Sequence, residues 1–336
     1  MRAWMLPAGC DGFDKLFLKD DVPDPTPGYG EVVVAPRAWS INYRDFAVAS
    51  GQYFGGVLKA DAVPLSDGAG EVVALGEGVT GLAVGDRVQS SFFPHWVEGP
   101  ARMGPALGDG TGAGMLAERV VLPASGVVPM ARTLDFAQAA CLPCAGVTAW
   151  NALCEGGRPV QAGDTVLVLG SGGVSTIAMA IARASGARVI ATSSSDDKLA
   201  RLRELGASET VNYREIPDWG AHVKQAFGGA DKVVEVGGTG TLGQSFAALG
   251  FSGEVALIGV LSHGEPPSPH ALMMVGGTLR GIFVGSAAMA RKLNAAIDAN
   301  GIKPAIGRRF AFEDAPAAYA HAWSSDSFGK TVIELR

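Results

Sequence analysis

The sequence has few cysteines and few charged residues for its length. Four of its 336 residues are cysteine and 18% are charged, and the excess of acidic over basic residues gives a net charge of -6 at pH 7. Four cysteines are too few for a disulfide scaffold in a chain of this size, so we expect a cytoplasmic, reduced protein. The acidic balance, with no run rich in Lys and Arg, argues against nucleic acid as a partner.

Long apolar runs are absent as well. No stretch of about 18 apolar residues is available to cross a bilayer. Acidic residues begin at Asp11, which leaves no room for the hydrophobic segment of a signal peptide. We therefore expect no membrane partner. What the chain does have is 47 glycines and 48% hydrophobic residues, a composition typical of a compact, turn-rich enzyme.

One glycine-rich turn has the context of a dinucleotide-binding site. The turn Gly170-Ser171-Gly172-Gly173-Val174-Ser175 follows a short β-branched apolar run and precedes apolar residues at helical spacing. Small residues at Gly170 and Gly172 allow a sharp turn and bring backbone amides close to a pyrophosphate at the helix N-terminus. Ser175 departs from the usual Gly or Ala at the third position. The alternative interpretation is an ordinary strand-to-helix turn that binds no ligand.

The pattern of predicted strands and helices divides the chain into three parts. Residues 1–130 alternate short strands, including 117–122, with Gly and Pro turns, which predicts a β-rich domain. Residues 131–284 begin with a predicted helix over 134–140 and then alternate strands with helices, the strands being 165–169, 188–192, 209–213, 232–236, 254–260 and 279–284. Six strands with a Gly-rich turn after the first predict an α/β fold with a doubly wound parallel sheet. We expect residues 285–336, too few for a domain, to return to the β-rich domain.

Several phrases resemble the medium-chain dehydrogenase/reductase superfamily. They are Asn42-Tyr43-Arg44-Asp45, Ser66-Asp67-Gly68-Ala69-Gly70-Glu71-Val72-Val73, Val84-Gly85-Asp86-Arg87-Val88, Leu142-Pro143-Cys144-Ala145-Gly146-Val147-Thr148-Ala149-Trp150 and Phe328-Gly329-Lys330-Thr331-Val332-Ile333. They are spread over nearly the whole chain. The resemblance implies a GroES-like catalytic domain, a Rossmann domain, and a C-terminal segment that returns to the catalytic domain. It also implies an NAD(P)-dependent oxidoreductase.

The superfamily contains zinc-dependent alcohol dehydrogenases and zinc-independent reductases of the quinone oxidoreductase kind. A catalytic zinc ion needs three Cys, His or carboxylate ligands. By resemblance, Asn42 stands where the zinc enzymes have a Cys, Asp67 stands where they have a His, and only Cys144 matches a remaining ligand. Residues 86–122 contain no cysteine, so the lobe that binds structural zinc is missing. We expect no zinc, and an alcohol dehydrogenase with metal on Asp67, Cys144 and a further ligand is the alternative.

The end of the second predicted strand bears on the choice of cofactor. NAD-preferring sheets usually have an Asp or Glu there for the ribose hydroxyl. This chain has Ser193-Ser194-Ser195, which with Lys198 favours the 2′-phosphate of NADP(H) over NAD(H). By resemblance to NADPH-dependent quinone reductases, Lys198 and Tyr213 would hold that phosphate. The alternatives are a solvated helix position for Lys198 and strand-end packing for Tyr213.

The resemblance assigns further residues to the cofactor. It implies that Asn42 and Thr148 lie near the nicotinamide ribose and carboxamide, and Lys330 near the phosphates. The residues that would line the pocket of the nicotinamide ring are Ile258, Gly259, Val260, Phe283 and Val284. Each of these residues also has a packing explanation.

A reductase without zinc must orient an already electrophilic substrate and stabilise the charge that develops on its oxygen. Tyr53 is the predicted donor, because a phenol can donate a hydrogen bond, and a surface-loop aromatic is the alternative. Asp67 is a second catalytic candidate, or else a carboxylate bound by the amides of the turn that follows it. Residues 92–110 form either a loop that covers the substrate or an ordinary hydrophobic patch.

The sequence thus predicts a zinc-independent, NADP(H)-dependent oxidoreductase that acts on a small enone, quinone or aldehyde. A cofactor-binding protein without turnover is a further alternative, because superfamily folds host such uses. Edge-to-edge pairing of the sixth predicted strand, as in similar proteins, would make a homodimer.

Overall fold

The computed structural model describes residues 1–102 and 104–335, which form two compact units. The first unit consists of Met1–Val147 and Val284–Arg336, and the second is the continuous segment Thr148–Phe283. The chain therefore leaves the first unit once and returns to it once.

The secondary structure is given in chain order. The strands are β1 (Ala3–Met5), β2 (Phe17–Lys19), β3 (Glu31–Ser40), β4 (Asp67–Leu75), β5 (Arg87–Ser90), β6 (Val120–Pro123), β7 (Val127–Pro129), β8 (Thr165–Leu169), β9 (Arg188–Ser193), β10 (Glu209–Asn212), β11 (Ala230–Glu235), β12 (Leu249–Leu257), β13 (Thr278–Gly281), β14 (Ile306–Ala311) and β15 (Lys330–Glu334). The helices are α1 (Tyr43–Ala49), α2 (Phe136–Ala140), α3 (Val147–Cys154), α4 (Gly173–Ala184), α5 (Asp196–Glu204), α6 (Trp219–Phe227), α7 (Thr239–Ala248), α8 (His270–Val275), α9 (Ala287–Asn300) and α10 (Ala315–Trp323).

The first unit is built around a mixed sheet in the order β14-β15-β3-β4-β5-β7, with β6 also pairing with β3. The C-terminal strand β15 runs antiparallel to β3 and places Val332 opposite Ser40. The core beneath this sheet contains fully buried Trp39, Phe312 and Tyr319. The predicted GroES-like, β-rich fold is confirmed.

The second unit has a parallel sheet in the order β10-β9-β8-β11-β12-β13. Counted from β8, this order is 3-2-1-4-5-6, which is the Rossmann order. Val166, Leu167 and Val168 of β8 are fully buried, as expected of a strand covered on both faces. The predicted doubly wound Rossmann sheet is confirmed, with its switch point between β8 and β11.

Three predicted elements differ from the structure near the candidate site. Helix α1 lies inside the part predicted to be all strands, and the Asp45 carboxylate accepts the Asn42 backbone amide at its N-terminus, at 2.7 Å. The fifth strand of the Rossmann sheet ends at Leu257 rather than at residue 260, because the next two amides both donate to the Glu235 carbonyl. The sixth ends at Gly281, where its pairing with β12 stops opposite Leu257, and Val284 beyond it has a left-handed φ of +50°.

Two further bounds are corrected in the first unit. The helix predicted over 134–140 begins at Phe136, because the Asp135 side chain accepts the Gln138 amide at 2.7 Å and caps it. The strand predicted over 117–122 is β6, which begins at Val120 and ends at Pro123. Among the helices of residues 1–102 and 104–335, none has both the length and the apolar composition needed to cross a membrane.

Candidate functional site

The glycine-rich turn joins β8 to α4. Gly170 has a φ of +73°, which favours glycine, and Gly172 immediately precedes the first residue of α4. Ser175 ties the helix to the strand, because its hydroxyl donates to the Leu169 carbonyl at 2.6 Å. A Cβ built on Gly170 or Gly172 meets no atom of the described residues within 4 Å. The first amides of α4 have no partner within the helix, and the space beside the two glycines is open.

The three serines lie at the carboxyl end of β9. The Ser195 hydroxyl accepts the Lys198 amide at 3.5 Å and caps α5, and the Ser193 hydroxyl accepts the Ser195 amide at 3.3 Å. Ser194 lies between them. The first turn of α5, with Lys198, is thereby fixed beside the serines.

Tyr213 follows the neighbouring strand, β10. Its amide donates to the Ser193 carbonyl at 3.1 Å, and its side chain is 40% exposed. The carboxylate of Asp196 accepts the side-chain amide of Asn212 at 2.9 Å. The structure therefore brings Ser193, Ser195, Lys198 and Tyr213 to one corner of the sheet, where the nearby acidic residue already has a partner.

Ile258, Gly259 and Val260 follow β12 at the same carboxyl edge of the parallel sheet. A Cβ on Gly259 would lie 1.6 Å from the Val236 carbonyl oxygen, so only glycine fits there. Val260 is 64% exposed, whereas Thr148, in the first turn of α3, is buried. Of the last two predicted ring contacts, Phe283 ends the second unit, and buried Val284 begins the returning segment of the first unit. The structure does not place these last two on a strand.

Asn42 and Lys330 meet in the first unit, although 288 positions separate them in the sequence. Strand β15 is paired with β3, and Asn42 follows β3 by two residues, so the pairing brings the two side chains together. The buried Lys330 ammonium donates to Asn42 Oδ1 at 2.6 Å and to the Ile41 carbonyl at 2.7 Å. Within the described part of the chain, the buried Asn42 Nδ2 has no hydrogen-bond partner.

Asp67 begins β4 and is fully buried. Its carboxylate accepts the Ser66 hydroxyl at 2.7 Å and the backbone amide of Cys144 at 3.2 Å, while the Ser40 hydroxyl, 3.4 Å away, donates to the Ala140 carbonyl at 2.8 Å. The expectation that amides of the following turn bind it is wrong, because β4 begins there and Gly68 donates to Ser90 instead. Burial, reinforced by Asp67, raises the pKa of the Cys144 thiol far above its usual range, so the thiol stays protonated.

Two charged residues of α1 were missed by the sequence reasoning. Arg44 and Asp45 are buried and form an ion pair at 3.2 Å. Burial raises the pKa of Asp45 to about 6 although the Arg44 cation opposes the rise. Asp45 had a signal, because Asn-x-x-Asp is the spacing of a helix cap. No pattern in the sequence indicates Arg44, since an Arg beside an Asp ordinarily predicts an exposed ion pair.

Tyr53 lies beside this pair. The Arg44 guanidinium is 4.6 Å from the centroid of the Tyr53 ring and 5.1 Å from that of Phe92. Burial raises the pKa of the half-buried Tyr53 phenol, which keeps its proton available for donation. The structure therefore joins Tyr53 to Arg44 rather than leaving it on the open surface.

The donor set does not fit a catalytic zinc ion. The amide oxygen of Asn42 is in contact with the Lys330 ammonium, a cation that would repel a metal ion at that place. Asp67 and Cys144 are adjacent, as a metal site would require. No third metal-ligating side chain joins them, and over residues 1–102 and 104–335 there is no group of three His, Cys, Asp or Glu arranged to hold a metal.

The aromatic residues of the segment 92–110 are buried in the first unit. Phe92, Phe93 and Trp96 are each less than 5% exposed, and the Trp96 carbonyl accepts the first amide of α9. Met103 of this segment lies outside the described residues. A role as a covering loop stays a prediction.

Two family models match the chain. The zinc-binding dehydrogenase model matches residues 173–299, and the alcohol dehydrogenase GroES-like domain model matches residues 28–132. A zinc-type alcohol dehydrogenase-like protein of Schizosaccharomyces pombe is 40% identical over 96% of this chain and 96% of its own. The NADPH-dependent alkenal/one oxidoreductase, chloroplastic, of Arabidopsis thaliana is 28% identical over 99% of this chain and 79% of its own. The solved structure of an NAD-dependent alcohol dehydrogenase covers 100% of both chains at 33% identity, with a TM-score of 0.88.

Proposed function

This chain belongs to the medium-chain dehydrogenase/reductase superfamily and is an NAD(P)-dependent oxidoreductase, and we propose that it uses NADP(H) and works without a catalytic zinc ion. Its substrate is a small carbonyl-type compound: an enone, a quinone or an aldehyde. An alkenal/one oxidoreductase and alcohol dehydrogenases among the similar proteins support this class.

The contact between Asn42 and Lys330 carries the zinc-independent part of the proposal. The ammonium lies 2.6 Å from the Asn42 oxygen, at the position where the zinc enzymes have a cysteine ligand. Because Lys330 fixes the oxygen of the amide, Asn42 Nδ2 is left as the donor. The first unit thus presents an oriented amide instead of a metal ligand.

Most of the groups proposed to hold NADP(H) belong to the second unit. The turn Gly170-Ser171-Gly172-Gly173-Val174 would bind the pyrophosphate, and Ser193, Ser194, Ser195, Lys198 and Tyr213 the 2′-phosphate. The nicotinamide, which supplies or accepts the hydride, would contact Thr148, Ile258, Gly259, Val260 and Phe283. Of the residues of the first unit, the resemblance assigns Asn42 to the nicotinamide ribose and carboxamide, Val284 to the ring pocket and Lys330 to the phosphates. A charge-assisted hydrogen bond from Lys198 would contribute about 1.5 to 3 kcal/mol, or about tenfold to a hundredfold in affinity for NADP(H).

The first unit supplies the polar groups toward the substrate. Tyr53 keeps its phenolic proton, because burial raises its pKa, and can therefore donate to a substrate oxygen. Asp67, held by the Ser66 hydroxyl and the Cys144 amide, fixes the segment that carries Cys144. It is a positioning residue in this proposal.

We further propose a cytoplasmic homodimer. Strand β13 is the last strand of its sheet, and Leu279 on it is 39% exposed. An unpaired edge is a template for pairing with a second copy. Light scattering of the purified protein tests this, and a monomer at all concentrations would contradict it.

Two measurements test the proposed activity. Calorimetric titration with NADPH and NADH should give the tighter dissociation constant for NADPH, and tighter binding of NADH would overturn the cofactor assignment. Absorbance of NADPH should fall with enones, quinones or aldehydes, in metal-free protein as well as after zinc addition. Activity that depends on zinc bound by the purified protein would favour the alcohol dehydrogenase alternative, and cofactor binding with no oxidation across the panel would favour a protein without turnover.

A further inference from the structure

The guanidinium of Arg44 has one edge with hydrogen-bond partners and one without. Nη1 donates to the Leu107 carbonyl at 2.9 Å and to the Asp45 carboxylate at 3.2 Å. Within residues 1–102 and 104–335, Nε and Nη2 donate no hydrogen bond of ordinary geometry, although the side chain is more than nine-tenths buried. These two N–H groups point the same way and form the fork with which arginine binds planar oxygen groups.

An unpaired fork on a buried cation needs an explanation. Burying a charged donor without a partner is costly, and buried unsatisfied groups in folded proteins are rare. Arg44 is also held in place, by the Asp45 carboxylate at one edge and by the nearby rings of Tyr53 and Phe92. The fork is therefore fixed in position before any ligand arrives, which is the property of a preorganised anion-binding group.

We propose that the Nε and Nη2 groups of Arg44 bind the carbonyl oxygen of the substrate and stabilise the negative charge that hydride transfer places on it. The proposal rests on the proposed function, and it assigns to Arg44 the electrophilic role that a metal has in the zinc enzymes. Arg44 then becomes a catalytic residue, and Tyr53, whose ring lies against the guanidinium, keeps its proposed role as a donor to the same oxygen.

The step balances with the groups named. The substrate carbon accepts a hydride from the reduced nicotinamide, forming a C–H bond, and the π electron pair moves onto the carbonyl oxygen. The oxyanion accepts two hydrogen bonds from the fork, while the guanidinium keeps all its protons, since its pKa is raised above an already high value. A proton from water completes the product, at the α-carbon of an enone or at the oxygen of an aldehyde.

The surroundings of Arg44 suit an oxygen ligand that is neutral at first and charged in the transition state. The Asp45 carboxylate accepts from Nη1 and leaves the other edge free of a carboxylate partner in the described part of the chain. The Cys144 thiol nearby stays protonated and does not compete for the fork. Tyr53 is partly buried against the core of the first unit, and its neighbours Phe54 and Val57 are 76% and 52% exposed.

Binding of 4-nitrophenol tests the proposal without turnover. Its phenolate absorbs visible light and presents one oxyanion, so absorbance gives the proportion ionised when bound to the protein with NADP⁺. The wild type should bind the phenolate in preference to the phenol. Arg44→Gln should bind the phenolate at least about tenfold more weakly, the effect of losing one charge-assisted hydrogen bond, while its dissociation constant for NADPH stays within about twofold. Equal phenolate affinity in the two proteins would overturn the proposal.

Kinetics with the best enone or aldehyde give a second readout. Loss of an oxyanion donor should lower kcat by about a hundredfold or more while KM changes little. Arg44→Lys keeps a cation beside Asp45 and so protects the fold if Arg44→Gln does not accumulate, but it lacks the fork and should show the same losses in smaller measure. Phenolate affinity and kcat within about twofold of wild type in Arg44→Lys would contradict the fork. Arg37→Gln removes an exposed arginine paired with Glu71 and is the matched control, expected to leave both readouts unchanged.

Failure of this inference is distinguishable from failure of the proposed function. If no substrate of the panel oxidises NADPH, the proposed function fails whatever Arg44 does. If NADPH is oxidised but Arg44→Gln and Arg44→Lys retain wild-type phenolate binding and kcat, the function stands and the role of Arg44 is refuted.

Discussion

Replacing Gly172 with alanine separates the folding of the glycine-rich turn from its function. Gly172 has a φ of -78° and a ψ of -178°, a conformation that any residue adopts, and its added Cβ meets none of the described atoms within 4 Å. The substitution should therefore raise the free energy of unfolding slightly, by about 0.4 to 1 kcal/mol, because alanine restricts the unfolded chain. The same methyl group projects into the space proposed for the pyrophosphate.

We expect the substitution to weaken the binding of NADPH and not to lower the free energy of unfolding. If the methyl group prevents one amide of the turn from reaching a phosphate oxygen, about 1.5 to 3 kcal/mol is lost, or about tenfold to a hundredfold in the dissociation constant of NADPH. Calorimetry measures the affinity and urea unfolding measures the stability.

Gly157→Ala is the matched control. Gly157 lies in the same unit, has no positive φ and also has open space around its Cβ, so the substitution should raise the free energy of unfolding by a similar amount and leave the affinity for NADPH unchanged. Wild-type affinity for NADPH in Gly172→Ala would refute the assignment of the turn, and a marked loss of stability would refute the geometry on which the reasoning rests.

Three more outcomes are expected. Lys198→Ala should weaken NADPH about tenfold or more and leave NADH binding unchanged, and equal losses for both cofactors in calorimetry would contradict a 2′-phosphate contact. Glu254→Gln should lower the free energy of unfolding by about 3 to 5 kcal/mol in urea titrations, because the carboxylate lies 3.0 Å from both the buried Lys232 ammonium and Arg280 Nε. A smaller change than about 1 kcal/mol would show that the two cations find other partners. The pKa of Asp45 is raised from its ordinary 3.8 to about 6, so this group stabilises the fold fully below 3.8 and loses that effect as the pH rises through 6. Unfolding free energies measured from pH 4 to pH 7 should fall by up to about 3 kcal/mol more in the wild type than in Asp45→Asn, and parallel profiles would contradict the shift.

Much of the Rossmann sheet can be predicted from the sequence, because its strands are short apolar runs separated by helices and glycine turns. The sequence predicts the six strands, the doubly wound sheet and the place of the Gly-rich turn, and the structure adds the order of the strands. The ends of the strands were not, because hydrophobicity continues where pairing stops. Residues 258–260 are apolar, yet the chain leaves the sheet at Leu257 when two amides turn to the Glu235 carbonyl.

The candidate site was less accessible to sequence reasoning, since it depends on contacts between distant segments. The resemblance pointed to Asn42, Asp67 and Lys330, but only the pairing of β15 with β3 shows that Lys330 holds the Asn42 oxygen. Arg44 carries no pattern of its own. Its burial follows from the packing of α1 against the rings of Tyr53 and Phe92, which no local spacing encodes.

The interrupted first unit has a consequence for synthesis on the ribosome. Thr148–Phe283 is one continuous segment, so the cofactor-binding unit is complete while the other still lacks β14 and β15. Domains fold as units as the chain emerges, and the sheet of the first unit cannot be completed until β14 and β15, the last strands made, are available. Asn42 gains its ammonium partner only when the final strand pairs with β3, so a chain that still lacks β15 holds the whole second unit and an Asn42 amide without that partner.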